Sequence, residues 1–419
     1  MSAGGELAGA LLARMAADSA AHPGVTRAAF GTGEQMAHDL VSAAAARLGA
    51  EVAPDAFGNL WMTLPGRDRD LPAIVIGSHL DSVPHGGNFD GAAGVAAGLG
   101  VMAELVARDI LPPRDLRVVA FRAEEAAWFP LSYPGSAAAL GQLDPAALEA
   151  CRADTGLSLG RHMAEAGFDP ARLAPGVPLV DAARIAAYIE PHIEQGPRLI
   201  ARGVPVGIVS AMAGGWRFPA ARIIGQYAHS GAEPRFSRRD VVPAFASLVQ
   251  ALEGEWDRIE ATGTEATITI GRVESNPAQH GGSRVLGELG FTLDLRTGDE
   301  ALLAALPGRV AEIAAQVASA RGVGIDLGHS FGWAAAAMDP ALSAGIEDAA
   351  RALGHELPWL SCGAGHDAAS FVAAGVPSAM LFLRNANGSH NPDEAMEIAD
   401  LAVAIDILTR FVTQFPSSR

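Results

Sequence analysis

The chain is poor in cysteine. Only Cys151 and Cys362 occur in 419 residues, and neither belongs to a CxxC pair. That count excludes a disulfide framework and a cysteine-built zinc finger. Positive charge is also scarce: 30 Lys and Arg stand against 47 Asp and Glu, a net −17. Duplex binding needs a basic face, and anionic membranes repel an acidic one, so neither nucleic acid nor membrane is an expected partner. No uninterrupted apolar run reaches about 18 residues, so no transmembrane helix is expected. The start, MSAGGELAGALLARM, lacks a basic region and a long apolar core. It reads as an amphipathic helix rather than a signal peptide, and the expected compartment is the cytoplasm.

What is present is an ordinary globular composition, 49% hydrophobic and 18% charged, with enough apolar material for a sizeable core. The length suggests two domains. Short apolar runs alternate with helical patterns in the first half: AIVIGS at 73–78, an Ala/Gly-rich helix over 92–108, LRVVAFR at 116–122 and a third strand at 185–190. A fourth, PSAMLF, lies at 377–382. This alternation predicts an α/β fold, a mostly parallel sheet with helices on both faces. Ligands then bind beyond the C-terminal ends of the strands.

The segment 214–330 reads differently. Strand patterns and two helical patterns follow one another in the order β-α-β-β-α-β, a ferredoxin-like α+β unit able to bury its own core. The expected organisation is a domain of residues 1–213 and 331–419, interrupted by an inserted domain of 214–330.

Five polar clusters stand at or after the strands of the larger domain. In GSHLDS (77–82), His79 and Asp81 are two apart and share one side of an extended chain. A carboxylate there can set the tautomer of a ligating histidine, although a lone pair of this kind is more often structural. In GGNFDG (86–91), Asp90 suits a helix N-cap and equally a bridging carboxylate. AEEAAWF (123–129) puts Glu124 and Glu125 side by side at a strand end, where a cation would relieve their repulsion. EPHIEQG (190–196) and SHNPDE (389–394) add His192 and His390. Jointly the clusters offer three imidazoles and at least two carboxylates, a mixed N/O set that suits Zn, Mn or Co. One acid, Glu124 or Glu125, is left as a general base.

These five motifs in this order resemble the M20 metallohydrolases. They are most similar to the amidase branch of N-carbamoyl-L-amino-acid hydrolases, β-ureidopropionases and allantoate amidohydrolases. The resemblance implies two divalent metal ions per subunit: His79 and His192 on one, Glu125 and His390 on the other, and Asp90 bridging. It implies Asp81 as the residue orienting His79, and Glu124 as the base. Gln195 would contact the ureido or amide head, and Arg296 in FTLDLR would grip the substrate carboxylate. His229 in AHSGA would stabilise the oxyanion, reaching the other subunit of a homodimer from an inserted lid and dimerisation domain. Ser283 stands where the family commonly has an asparagine, with Asn276 and His280 nearby as further substrate-binding candidates. The implied activity is hydrolysis of a small, carboxylate-bearing ureido or amide substrate. The alternative is an aminoacylase or dipeptidase acting on an N-acyl or peptide amide. GAGHDA (363–368) also resembles a family loop near the site.

Overall fold

A computed structural model describes residues 2–416. Met1 and residues 417–419, within the domain limits read above, lie outside the described residues. The chain divides into two compact units: Met1–Ser210 with Met338–Leu360 and Gly365–Arg419, and Ala211–Ala337 with Ser361–Ala364. The second unit is wider than 214–330. Its strand Phe331–Trp333 pairs with Gly214–Ile224, which draws the following residues in with it.

The sheet of the first unit runs in the order Glu51–Pro54, Leu60–Leu64, Leu116–Phe121, Ala73–His79, Ile185–Ile193, Ser378–Leu383, Val206–Met212. It is mixed, which corrects the expectation of a mostly parallel sheet. Only the four central strands are mutually parallel. Leu60–Leu64 and Val206–Met212 join them antiparallel. The outermost pair, Glu51–Pro54 with Leu60–Leu64, is antiparallel for a local reason. Asp55 accepts the amides of Phe57, Gly58 and Asn59 and folds the chain straight back into a hairpin. A hairpin can only be antiparallel.

Strand Ala73–His79 is buried along its whole length, as a central strand covered on both faces must be. Helix Ala92–Ala107 follows it, and every residue from Ala92 to Leu105 is buried. Its glycines permit this. A Cβ on Gly94 would collide with the carbonyl of Pro191, and one on Gly100 with Ile405. Close helix packing, not dinucleotide binding, explains the glycine run.

The second unit has an antiparallel sheet in the order Val273–Glu274, Glu288–Thr297, Gly214–Ile224, Gly324–Asp326. Strand Glu288–Thr297 alternates strictly, with Leu289, Phe291, Leu293 and Leu295 inward. Helices Val241–Glu260 and Glu300–Arg321 close that face through Leu248, Leu252, Leu306 and Val310. Two short strands, Ala266–Thr269 and Val273–Glu274, stand on either side of Gly271. Helix Glu300–Arg321 is by length and composition apolar enough to cross a membrane, contrary to the expectation from the lack of an uninterrupted apolar run. It carries Arg309 and Glu312 and lays one stripe on the core.

Candidate metal centre

The first unit brings the polar clusters together where its central strands end. His79 is the last residue of Ala73–His79, and Glu124 and Glu125 follow Leu116–Phe121. His192 lies inside the last turn of strand Ile185–Ile193, not after it. Asp90 precedes helix Ala92–Ala107 across Gly91, whose φ is +65°. Any side chain at Gly91 would strike the His79 ring, so glycine there is a condition of the site.

Asp90 is the hub. Its Oδ1 lies 3.1 Å from His192 Nε2 and 3.5 Å from His79 Nε2. Its Oδ2 lies 3.4 Å from His390 Nε2. His390 Nε2 is in turn 3.5 Å from Glu125 Oε1. Two groups can therefore each hold a metal ion, His79–Asp90–His192 and Asp90–Glu125–His390, with the donor atoms of each within 4.8 Å of one another. Glu124 belongs to neither group and sits with Oε2 3.8 Å from His79 Nε2.

The fit to divalent cations can be tested on the protein itself. Glu125 Oε1 and His192 Nε2 are buried without a hydrogen-bond partner. Orphaned polar atoms of this kind cost about 1–3 kcal/mol each unless a ligand takes them. Both belong to the candidate groups, and the mixed imidazole and carboxylate set suits zinc, manganese or cobalt.

The electrostatics of the cluster are strained in the same sense. Burial pushes the Glu124 carboxyl well above the usual range; His79 opposes the shift, and neighbouring Glu125 and Asp367 add to it. Burial, then Asp90, raises Glu125 to about 7. Burial alone would raise Asp90, but His192, His390 and His79 outweigh it and hold it well below an ordinary aspartate. The hydrogen bond to Asp90 lifts His390 to about 9.

Asp81 takes on more than the sequence suggested. Its Oδ1 is 3.4 Å from His79 Nδ1, consistent with orienting that ring. Its shorter bonds accept the amides of Glu124 and Glu125, both at 3.0 Å. The main-chain carbonyl of Asp81 is nearer still to His79 Nδ1, at 3.2 Å, so the residue meets the histidine through its backbone and the acidic turn through its carboxylate. Ala123 at the head of that turn has φ +58°, the left-handed region. Buried Glu34 holds it there. Glu34 Oε1 accepts Ala123 N at 3.0 Å, and Oε2 accepts Phe30 N and Arg122 Nη1, both at 2.7 Å. Arg27 does similar work under Asp90: its guanidinium donates to Leu80 O, Asn88 Oδ1 and Asn88 O. Sequence reading missed Glu34 and Arg27, since each lies far along the chain from any motif.

Gln195 was read as a substrate contact. Here its Nε2 donates to Asp90 Oδ2 at 2.8 Å. His366 of the GAGHDA loop is buried with its ring 4.2 Å from that of His192.

The remaining candidates belong to the second unit. His229 is exposed, and its Nδ1 accepts the amides of Gly231 and Ala232 at 3.2 Å. An acceptor Nδ1 fixes the neutral tautomer with its proton on Nε2. Ser283 adjoins this segment, its carbonyl accepting Ser230 N at 2.8 Å. Asn276 caps the turn Pro277–Gln279, and His280 bonds Ser275 Oγ at 2.8 Å. Arg296 donates to Asp294 and to Gly363 O, both at 2.7 Å, and lies over the Trp333 ring. It lines an open groove of about 580 Å³ together with Arg217, Thr267 and Thr269.

The profile of peptidase family M20/M25/M40 matches residues 75–414. The chain belongs to this family. Among similar M20 proteins is an N-carbamoyl-L-amino acid amidohydrolase of Geobacillus stearothermophilus, 37% identical over 397 residues, 93% of each chain. The allantoate amidohydrolase of Escherichia coli is 31% identical over 87% of each chain. A crystal structure of a hydantoinase/carbamoylase family amidase from Burkholderia ambifaria superposes with a TM-score of 0.86, at 31% identity, over 97% of this chain and 95% of that one. The M20 assignment spans the strands and loops that bring His79, Asp90, Glu125, His192 and His390 together.

Proposed function

We propose that this chain is a metal-dependent amidohydrolase that cleaves the C–N bond of an N-carbamoyl amino acid or a related ureido acid. The observation that carries the reading is a pair of donor groups sharing Asp90, with the buried acid Glu124 beside them and outside both. The activities named for the relatives supply the substrate class. His79 and His192 would hold one divalent ion and Glu125 and His390 the other, with Asp90 shared between them. Ions in such a set acidify water and polarise a carbonyl.

The protein's own residues do the rest. Glu124 takes the proton of the attacking water and returns it to the leaving nitrogen. Burial raises its carboxyl pKa, the direction that a proton-shuttling acid needs. His229, with its proton on Nε2, donates to the carbonyl oxygen as negative charge develops there. Gln195 Oε1 accepts from the ureido N–H, and the fork of Arg296 pairs with the substrate carboxylate. Water adds to the carbonyl carbon and the C–N bond breaks; an N-carbamoyl amino acid yields the amino acid, CO2 and ammonia. The second unit acts as lid and dimerisation domain, each site being completed by His229 of the partner subunit.

The test is ammonia release from N-carbamoyl amino acids, N-carbamoyl-β-alanine and allantoate, with protein stripped of metal and reloaded with Mn, Co or Zn. Metal-dependent release from any of them is the expected result. Silence from a metal-loaded protein that instead hydrolyses N-acetyl amino acids or dipeptides would move the assignment to an aminoacylase or dipeptidase.

A further inference from the structure

We infer that Glu394 is a positioning residue that sets Asp90 and the His390 loop in one frame, and so governs the affinity for both metal ions at once. The inference rests on the reading of Asp90 as the shared ligand.

Glu394 is buried, 7% exposed, and every contact of its carboxylate goes to a segment that carries a donor. Its Oε1 accepts Phe89 N at 2.8 Å and Asp90 N at 3.2 Å, across more than 300 residues of sequence. Its Oε2 accepts Ser389 Oγ at 2.6 Å, beside His390. Ser389 Oγ also lies 2.5 Å from Asp90 Oδ2. The single Ser389 hydrogen serves one of these two carboxylates at a time, so the Asp90 segment is held by its main chain from Glu394 and shares Ser389 with it.

The surroundings are built for this contact. A Cβ on Gly87 would overlap the Glu394 carboxylate, so the chain approaches it as only glycine allows. Ala386 and Ala395 exchange both backbone hydrogen bonds and close the loop that carries Ser389 and His390. His390 itself has φ +59°, a conformation that a non-glycine residue keeps only when its neighbours impose it. Arg27 fixes Asn88 from the opposite side. Removing Glu394 would free the 87–90 and 389–390 segments together. Because Asp90 belongs to both donor groups, neither ion would be spared.

The substitutions separate this role from a merely structural one. Glu394→Ala removes all three contacts. Glu394→Gln keeps them: its oxygen accepts both amides and its nitrogen donates to Ser389 Oγ, whose single hydrogen then serves Asp90. Ser389→Ala removes only the side-chain half. Zn2+ affinity and stoichiometry would be measured by chelator competition and elemental analysis, at a temperature where circular dichroism shows each variant folded. Loss of a residue that supports metal ligands typically costs about 10–100-fold in affinity. Glu394→Ala should lose that much for both ions, Ser389→Ala should lose less, and Glu394→Gln should bind both nearly as the wild type does. The inference is overturned if folded Glu394→Ala, or Ser389→Ala where Glu394→Ala does not fold, binds both ions with wild-type affinity. It is also overturned if Glu394→Gln is as defective as Glu394→Ala. Asp90→Asn is the control for the underlying reading. If that variant keeps both ions, the shared-ligand assignment itself is wrong, a result distinct from the failure of Glu394.

Discussion

Arg27, Glu34, Asp81, Asp90 and Glu190 are buried in the first unit, whereas in the second, pairs such as Arg222–Asp326 stand half exposed. The backbone differs in the same way. Ala123, Gln195 and His390 adopt left-handed φ in the first unit. Among the described residues, no non-glycine residue of Ala211–Ala337 does so. The second unit is a regular sheet and two helices that satisfy their own backbone groups, so its charges are free to stay near water, with buried Glu255, paired to Arg258 and Arg309, the exception among the described residues. The first unit interrupts its elements at the strand ends, and the freed amides are taken by buried carboxylates: Asp81 for Glu124 and Glu125, Glu34 for Ala123, Glu394 for Asp90. Each left-handed non-glycine residue costs about 1–3 kcal/mol. The buried charges hold that strain in place, because an unmet amide or an unpaired carboxylate would cost more.

The largest expected effect divides the two units by chemistry. Glu124→Gln should lower kcat by about 10²–10⁴-fold while both ions remain bound. His229→Ala, a change in the second unit, should lower kcat by about 10²–10³-fold, also with metal retained. If each site takes His229 from the partner subunit, as proposed, mixing the two variant chains should restore part of the activity, because a hybrid dimer would hold one site with both residues intact. A near-normal kcat for Glu124→Gln removes it as the base, and no recovery on mixing means that His229 serves its own chain.

Next comes stability. Glu34→Ala leaves Arg122 buried, unpaired and with the Ala123 turn unsupported, and should cost about 3–5 kcal/mol in denaturant unfolding. Glu34→Gln, which can still accept from Ala123 and Arg122, should cost clearly less. Equal losses would mean that the charge of Glu34, not its hydrogen bonding, holds the turn.

The smallest effect belongs to the second unit. Arg258 and then Arg309 hold the Glu255 carboxyl at about 2, below its ordinary 4.5. A depressed acid stabilises the fold above its unfolded pKa, and that contribution fades as pH falls through the folded value. Thermal melts should therefore lose this increment between about pH 4.5 and 2. Glu255→Gln should melt lower than wild type at pH 6 and converge with it towards pH 2. Parallel curves would show that the cluster adds nothing.

Much of the metal centre was legible in the chain. His79, Glu125, His192 and His390 each sit in a short polar motif at or after the end of an apolar strand, and Asp90 in one that opens the following helix. In a sheet whose central strands run parallel, such ends converge, so strand periodicity alone implies the convergence. The alternation of Glu288–Thr297 is legible for the same reason: a period of two states which face is buried. The edge hairpin of Glu51–Pro54 and Leu60–Leu64 was less so, since Asp55 folds the chain back through three side-chain bonds that no periodicity reveals. Glu34, Arg27 and Glu394 were the least legible as supports. Their partners lie up to about three hundred residues away, and only packing brings them within hydrogen-bond distance. Residue type and spacing by themselves offered three histidines and the acids Asp90, Glu124 and Glu125 near strand ends, and left open which of the paired acids is the donor. The tertiary structure decided how those donors are held, because a buried carboxylate is stable only beside the particular amides and guanidinium groups that the fold delivers to it.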